Sequence, residues 1–169
     1  MQRRSQMASK IYLAAPLFNE RERAFNAKLS KSFEAFIDVF LPQRDGLLLV
    51  DLLAEGYSLE IAETLIFERD RSALLECDIL IAILDGAHID EGVAFEIGFA
   101  SARGCLCLGI QTDSRRALPT GNNPMIGRSL SSIFASAEEA VNFLKSLNNK
   151  SDCANISQKL NLVKSDNSG

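Results

Sequence analysis

The chain has 169 residues, 47% of them hydrophobic and 24% charged, which is the size and balance of one soluble domain around one core. A formal charge of −4 offers no basic face to a nucleic acid, no apolar run approaches the roughly 18 residues of a membrane span, and the opening MQRRSQMASK lacks the apolar stretch of a secretory signal. A cytoplasmic protein with neither a nucleic-acid nor a membrane partner is expected, and because Cys77, Cys105, Cys107 and Cys153 form no CxxC pair and His88 is the lone histidine, no metal site is expected either.

In chain order, residues 1–9 read as a flexible tail, and KIYLAAP, residues 10–16, as a buried first strand stopped by Pro16. A helix is predicted over 19–38, with Asn19 as N-cap, Glu20 and Glu22 in the first turn, and Phe25, Leu29, Phe33 and Phe36 at helical spacing. LPQRDG breaks that pattern. LLLVDLL, residues 47–53, suits a strand or a short helix, and periodicity does not choose between them. Ser58 caps a predicted helix to about Glu76, and DILIAILDG follows as a central buried strand. A helix then opens at Asp90, followed by the strand CLCLGIQT, in which Cys105 and Cys107 read as packed thiols on one face. A polar loop over 112–130, a short strand at 132–134 and a helix over 136–147 complete a domain of residues 10–148, before a polar tail at 149–169 without periodicity. This alternation predicts an α/β fold: an open parallel sheet with helices on both faces, flavodoxin-like or Rossmann-like, with ligands at the carboxyl ends of the strands.

Three carboxylates stand out. Asp70 interrupts the stripe Ile66, Ala73, Cys77 that should be apolar, so it is either paired with Arg69 or Arg71 or kept for chemistry. Asp90 sits at a helix start, where capping alone would account for it. Glu96 follows Gly92 and precedes Ala100 on one helical row beside Val93 and Ile97, so it is either a surface residue or a carboxylate with small neighbours that leave room for a ligand. Several carboxylates in one pocket without a metal cluster suit glycosyl chemistry, in which one attacks the anomeric carbon and another handles the leaving-group proton.

Five segments in order, IYLAAPLF, LPQRDG, FERDRSALLECDILIAILDG, DEGVAFEIGFA and NPM, resemble the nucleoside 2-deoxyribosyltransferase family from about Ile11 to Leu147. The resemblance implies a flavodoxin-like homo-oligomer that moves 2-deoxyribose between nucleobases through a covalent intermediate, without a cofactor. It implies Glu96 as nucleophile, Tyr12 holding its carboxylate, and Asp70 and Asp90 contacting base and sugar and protonating the departing base. Asn123 and Met125 match a pattern given to a neighbouring subunit's site, and Gln43 falls near a base-contacting position. Ala15 and Val93 depart from the family's usual glycine and threonine, which implies a different pocket wall. From the residues alone, Tyr12 remains a packed aromatic and Asn123 a turn residue before Pro124.

Two other readings compete. A deoxynucleoside 5-monophosphate N-glycosidase would give the sugar to water, but the loop APLFNERERAF has two glutamates and no glycine where such relatives cradle phosphate. A non-catalytic nucleotide-binding module on the same fold would have no use for Asp70 and Glu96 together.

Overall fold

The computed structural model describes residues 9–115 and 121–148. Apart from residue 9, the expected tails at 1–9 and 149–169 lie outside the described residues. The elements run β1 (Lys10–Ala14), α1 (Glu20–Glu34), β2 (Asp38–Phe40), α2 (Pro42–Asp45), α3 (Leu49–Ala54), α4 (Leu59–Glu76), β3 (Ile79–Ile83), α5 (Glu91–Ala102), β4 (Leu106–Ile110), α6 (Pro124–Ser129), β5 (Ser132–Phe134) and α7 (Ala137–Asn148). All strand pairs are parallel and the order is β2-β1-β3-β4-β5, the flavodoxin-like arrangement. Strand order reverses at β1, so the crevice for a ligand opens at the carboxyl ends of β1 and β3.

Both faces of the sheet are covered, which is why its central strands are apolar throughout. Alternation along β1 sends Ile11 and Leu13 to a core shared with Leu29 and Phe33 of α1 and Leu144 of α7. Tyr12 and Ala14 face the opposite core, with Ala73 and Leu74 of α4 and Val93 and Ile97 of α5. Each large side chain buried here contributes about 1.5–3 kcal/mol. No described helix is long and apolar enough to cross a membrane.

The predicted first helix is too long by four residues. It ends at Glu34, where the Phe36 and Ile37 amides both bond back to the Phe33 carbonyl, and Asp38–Phe40 peel away as β2 along β1. Val39 and Phe40 are buried there, and a β-branched and an aromatic residue suit that half-covered edge. LPQRDG contains the short helix α2 with Pro42 in its first turn, the ambiguous 47–53 segment is helical as α3, and the loop expected over 112–130 contains α6. Cys107 is buried and Cys105 packs against the same core as a free thiol.

Candidate active site

Tyr12, in the middle of β1, is fully buried, and its ring stacks on Phe40 of β2 with centroids 5.4 Å apart. Its hydroxyl donates to Glu96 Oε1 at 2.5 Å. Glu96 stands in the second turn of α5, which starts because Asp90 Oδ1 accepts from the Val93 amide at 3.0 Å. Asp90 is therefore a cap, as its position predicted, and its other carboxylate oxygen has no hydrogen bond among the described residues. Gly92 lies one turn before Glu96, and a Cβ there would come within 3.1 Å of Asp90 Oδ1, so its lack of a side chain keeps this flank of α5 open.

Asp70 approaches from α4. Its Oδ1 is buried without a hydrogen-bond partner, so neither Arg69 nor Arg71 neutralises it by contact. Arg71 bonds Glu68 instead, and Arg69 donates from Nε and Nη2 to the Asp45 carbonyl at 3.0 and 2.9 Å. The wall opposite Asp70 is Gly46, where an added Cβ would sit 3.1 Å from Asp70 Oδ1 and 2.5 Å from the Pro42 carbonyl oxygen. A glycine is required there by the close approach of the α2 backbone.

The electrostatics follow from this crowding. Burial pushes the Glu96 carboxyl up to about 8, against the lowering effect of the Tyr12 bond, with Asp70 and Asp90 adding like-charge repulsion. Burial likewise raises Asp70 to about 6, opposed by the Arg69 charge. Tyr12 is held far above the ordinary phenol range by burial and by the two neighbouring carboxylates, so it remains a donor. Two carboxyls with raised proton affinity, one locked by a phenol and one unpartnered, can do nucleophilic and acid–base work side by side.

Not every sequence candidate joins this cluster. Gln43 has both ends of its amide engaged by α1, with Nε2 donating to the Arg23 carbonyl at 2.9 Å and Oε1 accepting from Asn26 at 3.1 Å. Asn123 caps α6 through the Met125 amide at 2.9 Å, and with Met125 it lines a cavity of about 520 Å³ beside Gly86–Ile89 and Ala94. Ala94 and Glu96 are separated by about 200° around α5, so this cavity lies on the flank of the helix turned away from Glu96. The sequence reading missed Phe40, which supports the Tyr12 ring, and considered Arg69 only as a partner for Asp70. The apolar residue closing VF after a polar Asp38 was the available signal for Phe40.

The family description of nucleoside 2-deoxyribosyltransferases matches residues 11–162. The chain belongs to the nucleoside 2-deoxyribosyltransferase family. Its fold is similar to that of a 2-deoxyribosyltransferase from Bacillus psychrosaccharolyticus, at 28% identity and a TM-score of 0.66 over 79% of this chain and 91% of that one. A conserved protein from Enterococcus faecalis V583 is similar at 26% identity and a TM-score of 0.64, over 83% and 99% of the two chains. The CMP N-glycosidase of Clostridium botulinum shares the fold, at 19% identity and a TM-score of 0.51 over 81% and 99%. No curated protein matches the chain. The nucleoside 2-deoxyribosyltransferase family is enzymatic and acts on nucleosides, and its relatives by fold include transferases and a glycosidase.

Proposed function

We propose that this protein is a nucleoside 2-deoxyribosyltransferase that uses Glu96 as nucleophile and Asp70 as the acid for the departing base. The observation that carries the reading is the hydrogen bond from buried Tyr12 to Glu96, 2.5 Å long, next to the unpartnered Asp70 Oδ1. A phenol donating to one carboxylate oxygen favours negative charge on Glu96 and holds the other oxygen ready for attack.

The steps balance as two displacements. A Glu96 oxygen forms a bond to the anomeric carbon as the carbon–nitrogen bond to the first base breaks; the electron pair leaves with the base nitrogen, which takes the Asp70 proton. The incoming base then attacks the same carbon with its nitrogen, the sugar–Glu96 bond breaks, Glu96 recovers its electron pair, and the base proton returns to Asp70. Two inversions give net retention. A 2-deoxy sugar lacks the electron-withdrawing 2-hydroxyl that would destabilise an oxocarbenium-like transition state, so two carboxyls suffice without a cofactor. Asp90 and Gly92 shape the sugar side, and Gln43 reaches the base only if it releases α1.

Asn123 and Met125 belong to this reading as residues given to a second copy's site, since they flank α5 on the side turned away from Glu96. A cytoplasmic homo-oligomer acting in nucleoside salvage fits this arrangement.

The test is base exchange: deoxyinosine and free cytosine are incubated with the protein and the products separated. Deoxycytidine and hypoxanthine should form faster than free deoxyribose, and Glu96→Ala should fold yet lose at least about 10³-fold. Dominant release of free sugar at saturating base would make the protein a glycosidase, and near-normal turnover by Glu96→Ala would remove Glu96 from the chemistry.

A further inference from the structure

Arg69 is the residue of the site that the proposed reaction leaves without a task. It is exposed, next to Asp70 in sequence, and forms no ion pair among the described residues. Its guanidinium forks onto the Asp45 carbonyl at 3.0 and 2.9 Å, and its carbon stands 5.3 Å from the centre of the Phe40 ring. Phe40 stacks on Tyr12, and Tyr12 donates to Glu96. The Asp45 carbonyl immediately precedes Gly46, the residue whose Cα faces Asp70 Oδ1. One side chain therefore grips the backbone that walls Asp70 and caps the aromatic stack that carries the Glu96 partner.

We propose that Arg69 is a positioning residue of this site: it fixes the Asp45–Gly46 turn against Asp70 and supplies the positive charge that lets Asp70 become an anion after giving up its proton. The inference rests on Asp70 acting as the acid in the proposed reaction. In the covalent intermediate Glu96 is esterified and neutral while Asp70 has just become charged, so the negative charge of the site moves from α5 to α4. Asp70 Oδ1 has no hydrogen bond to steady that charge, and Arg69 is the cation beside it. Among the described residues, Glu96 on α5 and Tyr12 on β1 also feel the Asp70 charge; both are acids, and neither can compensate an anion. Asp45 has its own carboxylate bonded to Arg44 and to the Leu41 amide, so its contribution to Arg69 is the backbone carbonyl.

The two roles separate chemically. A lysine keeps the charge but cannot reproduce the planar fork on a carbonyl, and a methionine keeps the stem but neither fork nor charge. The titration of Asp70 is read by carbon-detected NMR of labelled aspartate side chains in the intact protein, and KM and kcat for base exchange are read in parallel. In Arg69→Met the Asp70 midpoint should rise from about 6 by at least about half a pH unit, because an attractive charge has been removed. In Arg69→Lys the midpoint should stay near the wild-type value, while KM for the nucleoside rises several-fold in both variants as the turn is released. A midpoint identical in all three proteins, with only a lower melting temperature in the variants, would overturn the proposal by leaving Arg69 a merely structural clamp. If the wild type neither exchanges nor hydrolyses deoxynucleosides, the proposed reaction fails, and the NMR midpoints still decide the charge role of Arg69 separately.

Discussion

Between pH about 6 and about 8 the Asp70–Glu96 pair holds one proton, since one carboxyl has titrated and the other has not. In the proposed reaction the reactive form has that proton on Asp70 and the charge on Glu96, the reverse of the resting distribution in which Glu96 binds the proton more tightly, and the Tyr12 hydroxyl raises its share by bonding the Glu96 oxygen. The rate of base exchange should therefore follow a bell in pH, falling below about 6 when both carboxyls are protonated and above about 8 when neither is. Tyr12→Phe removes a bond that lowers the Glu96 proton affinity, so its alkaline limb should move to higher pH while kcat falls by roughly 10- to 100-fold; an unmoved limb would detach the phenol from Glu96. The same shift has a signature in stability. A carboxyl raised from 4.5 to about 8 on folding favours the native state fully below 4.5 and progressively less as pH rises through 8. Glu96→Gln should accordingly melt higher than wild type at pH 8, by the equivalent of a few kcal/mol at most, and lose that advantage at pH 5. Parallel melting curves across that range would mean that Glu96 is not held in a desolvated site.

At the scale of elements, the site depends on where short pieces of chain stop. Gly46 ends α2 so closely that a Cβ would lie 2.5 Å from the Pro42 carbonyl oxygen and 3.1 Å from Asp70 Oδ1. Gly46→Ala should cost about 1–3 kcal/mol by thermal melting and lower activity more than that loss implies, because the wall moves away from Asp70; an alanine variant as stable and active as wild type would contradict the packing described. The long elements were legible in the sequence for physical reasons. Asn19, Ser58 and Asp90 each announce a helix by capping it, and apolar runs such as ILIAI can be buried on both faces only inside a sheet. Short elements were not. Three residues of β2 show no period, and Phe36 continues the helical spacing of α1 although its amide bonds to a turn. Asp70 and Glu96 were visible as acids on faces that should be apolar, whereas Phe40 and Arg69 act through a stack and a backbone carbonyl that join residues from β1, β2 and α4. The sequence marks Phe40 as an apolar residue after Asp38, but its spacing carries no trace of the stack or of the carbonyl contact.

For the whole molecule, one face of the sheet carries α4, α5 and α6 in that order, and large apolar side chains point outward along it: Phe67 is 48%, Phe95 53% and Met125 79% exposed. A second copy related by a two-fold axis through α5 would bring its α6 toward this chain's α4 and the Asp70–Glu96 cleft, and would cover that strip. Mixed under exchange conditions, Glu96→Ala and Asn123→Ala chains, each weak alone, should then regain activity above their sum, because one site of a mixed pair has both residues intact. No recovery despite demonstrated exchange would assign Asn123 to its own chain or to no site. The central claim, that Glu96 carries the sugar between two bases, is tested most directly by trapping. A 2-fluoro-substituted 2-deoxynucleoside slows the second displacement, and mass spectrometry of the digested protein should find one fluorosugar on the peptide containing Glu96, released again when free base is added. A label on any other residue, or no label while the analogue is turned over, would contradict the account.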